Sequence, residues 1–366
     1  MSSNPHERST PAHAELAREN RLIEIRREAE RKGHVEAHGI RLPGAPFPVA
    51  SPETGYYGLH LLKEPCWSWE IPSYFFVGGA AGSAAVIGAM ANWIGGDKRL
   101  ARDCRMVAAG GAIISCGLLI SDLGRPERFL AMLRVFKPQS PMSVGAWTLA
   151  LFGSFSVAAA LAGIATDRLG LPVRVLGNVA EAFSAAAGLP FSNYTGVLIG
   201  ASVIPVWNKH VGSLPIYFGM SGLNSAVGIL ELMGHENPAL NTLGIGAAAI
   251  ETLEGVNIET SREPAAEPLK HGTSGFIARL GGIPSGPVPL ALRLAAAFSG
   301  SRRSRKLRKA AAISSLAGSM LTRIAWVHAG HISARDWRLP LEIGQKKDSP
   351  FLAAEASPVS KMAKRA

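Results

Sequence analysis

The most specific run of groups able to do chemistry is Asp122-Leu-Gly-Arg-Pro-Glu-Arg-Phe129, followed by Phe136-Lys-Pro-Gln-Ser-Pro-Met-Ser-Val-Gly-Ala-Trp147. It begins where an uncharged stretch ends. Gly124 and Pro126 force a turn there, so carboxylates and guanidinium groups are held close together at a membrane surface. Two readings of this run stand side by side. One is a capped helix end carrying an ion pair such as Asp122 with Arg125. The other is a rigid polar shelf that docks a partner or a polar headgroup.

Four further ionisable residues, Glu181, Glu231, Glu251 and Arg323, lie inside apolar stretches. Charge is expensive there and often functional. Glu231, with His235 and Glu236, reads either as the start of a proton path or as a solvated loop. Glu251 and Glu254 are spaced to pair with Arg323 or Arg293. Metal and haem signatures are not found. Cys66, Cys104 and Cys116 are far apart with no CxxC between them, which argues against a local cluster or zinc site. His60, His210, His235, His271, His328 and His331 fall near segment ends or in loops, whereas haem needs axial ligands inside helices.

The elements that must position these groups are membrane helices. Of 366 residues, 47% are hydrophobic and 18% charged, and the charge is concentrated at the two ends of the chain. The 40 glycines suit close helix packing in lipid. A bilayer core asks for roughly 20 apolar residues per helix. On that measure the sequence predicts an all-α, polytopic bundle of about eight transmembrane helices, in two four-helix groups. The spans fall at 71–94, 103–121, 143–166, 180–207, 211–233, 238–257, 284–300 and 310–327. Pro190 is expected to interrupt the fourth. The sixth and seventh are the weakest, because of Glu251, Glu254, Arg293 and three prolines.

Residues 15–32 read as a charged, solvated helix and 41–52 as a proline-rich linker. Three regions follow: a polar extension over 1–55, a transmembrane domain over 56–335 and a polar tail over 336–366. The first 50 residues contain no apolar signal segment, so the first span is expected to direct insertion. The net charge of +11 is not read as nucleic-acid binding. Its densest block, SRRSRKLRK, has six basic residues in nine and lies between two spans. With Lys98, Arg99, Arg102, Arg105, Arg168 and Arg174, that block marks the cytoplasmic side. Both termini then face outward in the cytoplasmic (inner) membrane. Arg125, Arg128, Arg134 and Lys137 lie on the opposite side, against the rule, which suggests they are kept for function or binding.

DLGRPERF and FKPQSPMSVGAW resemble the NrfD/polysulphide-reductase membrane-subunit family. So do KEPCWSWEIPSYFFVGGAAG and GLPFSNYTGVLIGASVIPVW. The likeness runs over about residues 56–335. It implies a quinol- or quinone-reactive anchor with no redox cofactor of its own, neither haem nor iron–sulphur cluster. It implies a (mena)quinone pocket near the extracytoplasmic surface. The partners implied are a ferredoxin-like 4Fe–4S subunit and, beyond it, a molybdopterin catalytic subunit. By this resemblance the chain is not catalytic alone.

A quinone pocket needs donors for a ring carbonyl, a carboxylate to take protons, and apolar walls. The resemblance makes Tyr194 the leading ring ligand. Glu70 and Trp69 join it from the mouth of the first span, with Asp122 and Arg125 from the polar shelf. Asn193 and Trp67 are weaker members. Glu231, His235 and Glu251 are the candidates for a proton path. A secondary transporter and a structural scaffold are the competing readings, the former because prolines interrupt spans four and seven. The terminal substrate, of formate-dehydrogenase or polysulphide-reductase type, belongs to the catalytic partner.

Overall fold

A computed structural model describes residues 20–25, 27, 62–124, 127–336 and 339, and among them every regular element is helical. Residues 20–25 are helical and exposed, within the predicted charged helix. The proline-rich linker and nearly all of the predicted tail lie outside the described residues. Residues 66–333 form one compact unit. In the other unit, Arg335 Nε donates to Glu64 Oε1 at 2.8 Å.

Among the described residues, nine α-helices of 11 residues or more carry the larger unit. They are α1 (Glu70–Met90), α2 (Lys98–Asp122), α3 (Pro141–Leu169), α4 (Arg174–Gly200), α5 (Leu214–Leu232), α6 (Pro238–Thr260), α7 (Gly272–Ser285), α8 (Pro287–Ala297) and α9 (Ser301–Arg335). Local sequence sets their ends. Helix α1 runs into a π-helical turn, Ala91–Gly95, and stops at Gly96, whose φ of 63° is left-handed. Asp97 then caps α2, its Oδ1 accepting from Leu100 N at 3.0 Å. Ser140 with Pro141, and Asn237 with Pro238, start α3 and α6 in the same manner.

Helices α1 to α4 pack in a closed ring, α1 on α2, α2 on α3, α3 on α4 and α4 on α1. Helix α5 lies against α1 and α4 and leads to α6, which packs on α8. Helix α9 joins α5 by a buried Ser221–Ser319 hydroxyl pair at 2.7 Å.

Each predicted span finds a helix, with two changes. Helix α4 passes through Pro190 without a break and ends at Gly200, so Val203 to Trp207 lie in a turn and a short helix beyond it. Membrane helices tolerate proline where neighbours re-satisfy the freed backbone. On the turn after it, Ser192 Oγ and Asn193 Nδ2 donate to Leu189 O at 2.9 and 2.8 Å, which ties those side chains to their own helix. The predicted seventh span, 284–300, coincides with the 11-residue α8 and only the last two residues of the 14-residue α7, the two helices being parted at Gly286. At 1.5 Å per residue neither crosses a core of about 30 Å alone. Among the described residues four helices are long and apolar enough to cross a membrane: α1 with its π turn, α2, α3 and α9.

Helix α1 holds the centre because it has almost no side chains where it meets its neighbours. A Cβ on Gly82 would lie 2.5 Å from Gly188 O, and one on Gly222 would lie 2.8 Å from the Gly79 backbone. Gly82→Ala is therefore expected to lower stability by about 1–3 kcal/mol. Gly110, on the open side of α2, has nothing within 4 Å of a new Cβ. Gly110→Ala should change stability by less than about 0.5 kcal/mol. Thermal unfolding of the two variants in detergent checks this; equal shifts would remove the argument.

Candidate functional site

At the end of the bundle where α1 begins and α2 ends, a cavity of about 80 Å³ opens between α1, α2, α3 and α4. Trp67, Tyr74, Asp122, Gly145 and Tyr194 line it, with Leu119, Met132 and Met142 among its apolar walls. Two residues from separate sequence motifs, Asp122 and Tyr194, thus share one cavity.

Tyr194 is positioned by what lies opposite. A Cβ on Gly145 would overlap its ring, so only glycine on α3 leaves room for the tyrosine. Its hydroxyl sits beside the Gly145 backbone, buried and without a well-formed hydrogen bond. A buried hydroxyl without a partner costs about 1–3 kcal/mol, so this atom is suited to a ligand. Asp122, on the last turn of α2, is half-buried and feels the Glu70 carboxylate from the first turn of α1. Glu70 in turn accepts from Ser68 Oγ, and the N-terminal dipole of α1 favours its charge.

An aromatic stack fixes the third wall. Trp67 lies on Trp207 with ring centroids 5.2 Å apart, and meets Phe75 edge-on at 6.0 Å. Trp207 Nε1 donates to Trp326 O at 2.8 Å, and its indole occupies the space that a side chain at Gly330 would fill. His331 Nε2 lies 3.1 Å from Trp67 O. A residue that looked secondary in sequence is therefore one of the best anchored.

Three sequence candidates lie elsewhere. Trp69 is 68% exposed and lines no part of the cavity, because it precedes the first turn of α1 and points outward. Asn193 turns toward α5, its Nδ2 held by Leu189 O and its Oδ1 against Gly219; one residue along a helix is a rotation of about 100°. Arg125 lies outside the described residues. Sequence reading missed Tyr74, Gly145, Met132 and Met142. Tyr74, inside the KEPCWSWEIPSYFFVGGAAG run, and Met142 and Gly145, inside FKPQSPMSVGAW, carried a signal; Met132 carried none.

The other ionisable candidates do not form one chain. Glu231 is buried at the far end of α5, where Arg293 Nη1 approaches its Oε2 at 2.9 Å and Arg308 Nε its Oε1 at 2.7 Å. Arg293 thus pairs with Glu231 and not with Glu251. Gly244 on α6 vacates the space that its guanidinium takes. His235 is held by Asp103 at 2.9 Å. Glu251 lies roughly 20 Å along α6 from its start, at 1.5 Å per residue. It lines a separate cavity of about 300 Å³ with Tyr217 and Thr322. Neither carboxylate oxygen has a well-formed hydrogen bond. Asn224 and Ser285 lie close to it and also donate to the backbone, Asn224 to Ser285 O at 2.9 Å and Ser285 to Gly282 O at 3.2 Å. Arg323, at the same level, is fully buried and donates to Ser221 Oγ at 2.8 Å and Ser319 Oγ at 2.6 Å. No group of three or more potential metal-ligating His, Cys, Asp or Glu residues occurs among the described residues.

Residues 61–236 match the family model described as polysulphide reductase, NrfD. That segment holds the whole Tyr194–Asp122 cavity and the Glu231–His235 turn. No curated protein matches the chain.

The Glu231 cluster gives a direct test of burial. Removing one partner of a buried pair costs about 3–5 kcal/mol, because the other charge is stranded. Glu231→Gln should lower stability by about that much, and Glu231→Gln with Arg293→Met should recover more than half of it. Chemical unfolding of the purified chain reads both. A single variant as stable as the parent would show that the charges are solvated.

Proposed function

From the match of residues 61–236 to the NrfD family model, we propose that the chain is the quinone-reactive membrane subunit of an oxidoreductase complex of the polysulphide- or nitrite-reductase type. The cavity beside Tyr194 is its headgroup site. The observation that carries this reading is a buried tyrosine hydroxyl without a well-formed hydrogen bond, facing the same cavity as a carboxylate.

A bound menaquinol would supply two electrons and two protons. The chain's own residues divide the remaining work. The Tyr194 hydroxyl donates to a ring oxygen and so fixes the ring's orientation. The Asp122 carboxylate accepts a proton. Glu70, near Asp122 and half-exposed at the mouth, is placed to pass that proton on to water. Tyr74, Leu119 and the two methionines exclude water from the ring.

The same reading assigns the surroundings. The bundle crosses the inner membrane eight times in two groups of four, with α7 and α8 together making one crossing. Lys98 to Arg105, Arg174 and the basic start of α9 face the cytoplasm, and both termini face outward. A ferredoxin-like 4Fe–4S subunit sits over the cavity, and a molybdopterin subunit beyond it. The shelf after Asp122 supports that placement, because Leu130, Val135 and Phe136 are all more than half exposed there. Of the proposed proton path, Glu251 retains the strongest support, since it is buried near Arg323 and faces a cavity. Glu231 is held in an ion pair, and His235 Nε2 lies 2.9 Å from Asp103 Oδ2.

Quinol-dependent turnover of the purified complex tests the assignment. Asp122→Asn should lower it by about 100-fold. Tyr194→Phe should weaken quinol binding by about tenfold, seen mainly in KM. Trp69→Ala, outside the cavity, should leave the headgroup step unchanged. Full activity in both cavity variants would remove the site.

A further inference from the structure

At the opposite end of the first four helices lies a second polar cavity, of about 170 Å³. Four cations line it, Lys98, Arg102, Arg105 and Arg174, with a single carboxylate, Asp167. We propose that this cavity holds the phosphate of an anionic phospholipid whose headgroup carries a hydroxyl, of the phosphatidylglycerol class.

Among the described residues, two of the four cations pair with a carboxylate and two do not. Arg105 forms the floor: its Nε and Nη2 donate to Glu181 at 2.8 and 2.9 Å, which fixes the guanidinium plane. Its third nitrogen, Nη1, is turned toward Gly163, another lining residue. Glu181 is itself buried and also accepts from Asn92 Nδ2 at 2.6 Å. Arg102 reaches Asp103 at 3.4 Å while remaining largely exposed. Among the described residues no ion pair engages Lys98 or Arg174, which stand exposed at the starts of α2 and α4. A fixed guanidinium below two free cations is a geometry that accepts a phosphate diester.

The rim selects a lipid over a soluble anion. Trp93 and Ile94 on the end of α1, Leu169 on the end of α3, and Val175 and Leu176 on the start of α4 are all more than half exposed. Along the chain they neighbour the lining residues Asn92, Asp167, Arg174 and Gly177, so exposed apolar surface adjoins the cavity. Basic pockets between membrane helices bind acidic headgroups in this manner. Asp167 would repel a bare phosphate, but it accepts a hydrogen bond from a headgroup hydroxyl. A general excess of Lys and Arg on this side does not by itself create a concave site. Here Gly177, whose Cβ would lie 3.0 Å from Ala162, lets α3 and α4 approach and shape it.

The experiment titrates the full-length chain in a neutral detergent with short-chain phosphatidylglycerol or phosphatidylcholine, read by native mass spectrometry. One phosphatidylglycerol per chain is expected to survive detergent exchange, and phosphatidylcholine is not. Lys98→Ala with Arg174→Ala should weaken retention about 30-fold, about fivefold per cation removed. Lys98→Arg with Arg174→Lys should retain it. Arg302→Ala with Arg303→Ala removes the same charge from the exposed start of α9 and should change retention less than about threefold, since surface charge beyond a Debye length is screened. Equal loss in the two alanine pairs would reduce the site to general surface charge. Displacement of the lipid by inorganic phosphate at matched concentration would make it a free-anion site. Unchanged retention in the Lys98/Arg174 alanine pair would overturn it outright.

Discussion

The first helix touches α4 and α5 backbone to backbone, and that contact exists only because Gly79, Gly82, Gly188 and Gly222 carry no side chain. In lipid the hydrophobic effect does not drive one helix onto another, so association depends on close packing and on internal hydrogen bonds. The same device then recurs at every large polar or aromatic side chain of consequence. Tyr194 rests where Gly145 leaves space, Arg293 where Gly244 does, Asn193 where Gly219 does and Trp207 where Gly330 does. Each is a large group on one helix paired with a missing group on the next. The bundle is tight because its bulk and its gaps are placed in register.

This constraint explains why the buried charges can be held. A guanidinium as enclosed as that of Arg293 would be expensive alone. Gly244 lets it reach Glu231 across the helix interface, and Arg308 completes the set while donating to Glu236 O and Asn237 O at 2.9 and 3.0 Å. The turn between α5 and α6 is thereby clamped from two helices. Arg105 and Glu181 repeat the arrangement between α2 and α4. Both charge clusters lie at one end of the bundle, and the Tyr194 cavity lies at the other. Rigidity at one end and an unfilled hydroxyl at the other are consistent with a site whose position must not drift.

Much of this was legible in sequence where the signal was local. Uncharged runs located the helices, and Gly124 with Pro126 marked the end of α2 beside Asp122. The rest depends on contacts that sequence spacing does not encode. Glu231 and Arg293 are 62 residues apart, and the nearer-looking choice for Arg293, Glu251, belongs to another cavity. Asn193 and Tyr194 are adjacent, so no motif separates the residue that faces the cavity from the one that faces α5. Among 40 glycines nothing marks Gly145 as the one opposite a tyrosine ring. Pro190 suggested a break because its own backbone cannot continue the hydrogen-bond ladder, yet the helix runs through it to Gly200.

The dimensions of the Tyr194 cavity carry the argument one step further. At about 80 Å³ it is smaller than the several hundred Å³ usual for a site enclosing an organic ligand. Entry of a ring must therefore displace side chains. The wall made by Tyr194, Gly145, Trp67 and Tyr74 has little freedom, because each is buried against aromatic or backbone neighbours. Met132 and Met142, on the short helix after the polar shelf and at the start of α3, can yield at small cost, since unbranched thioether chains change rotamer readily. On the proposed reading, the cavity offers a rigid face to a ring and a soft face by which one would enter. The soft face belongs to the segment that also carries the exposed Leu130 and Phe136, so a partner seated on the shelf would bear directly on how far the cavity can open.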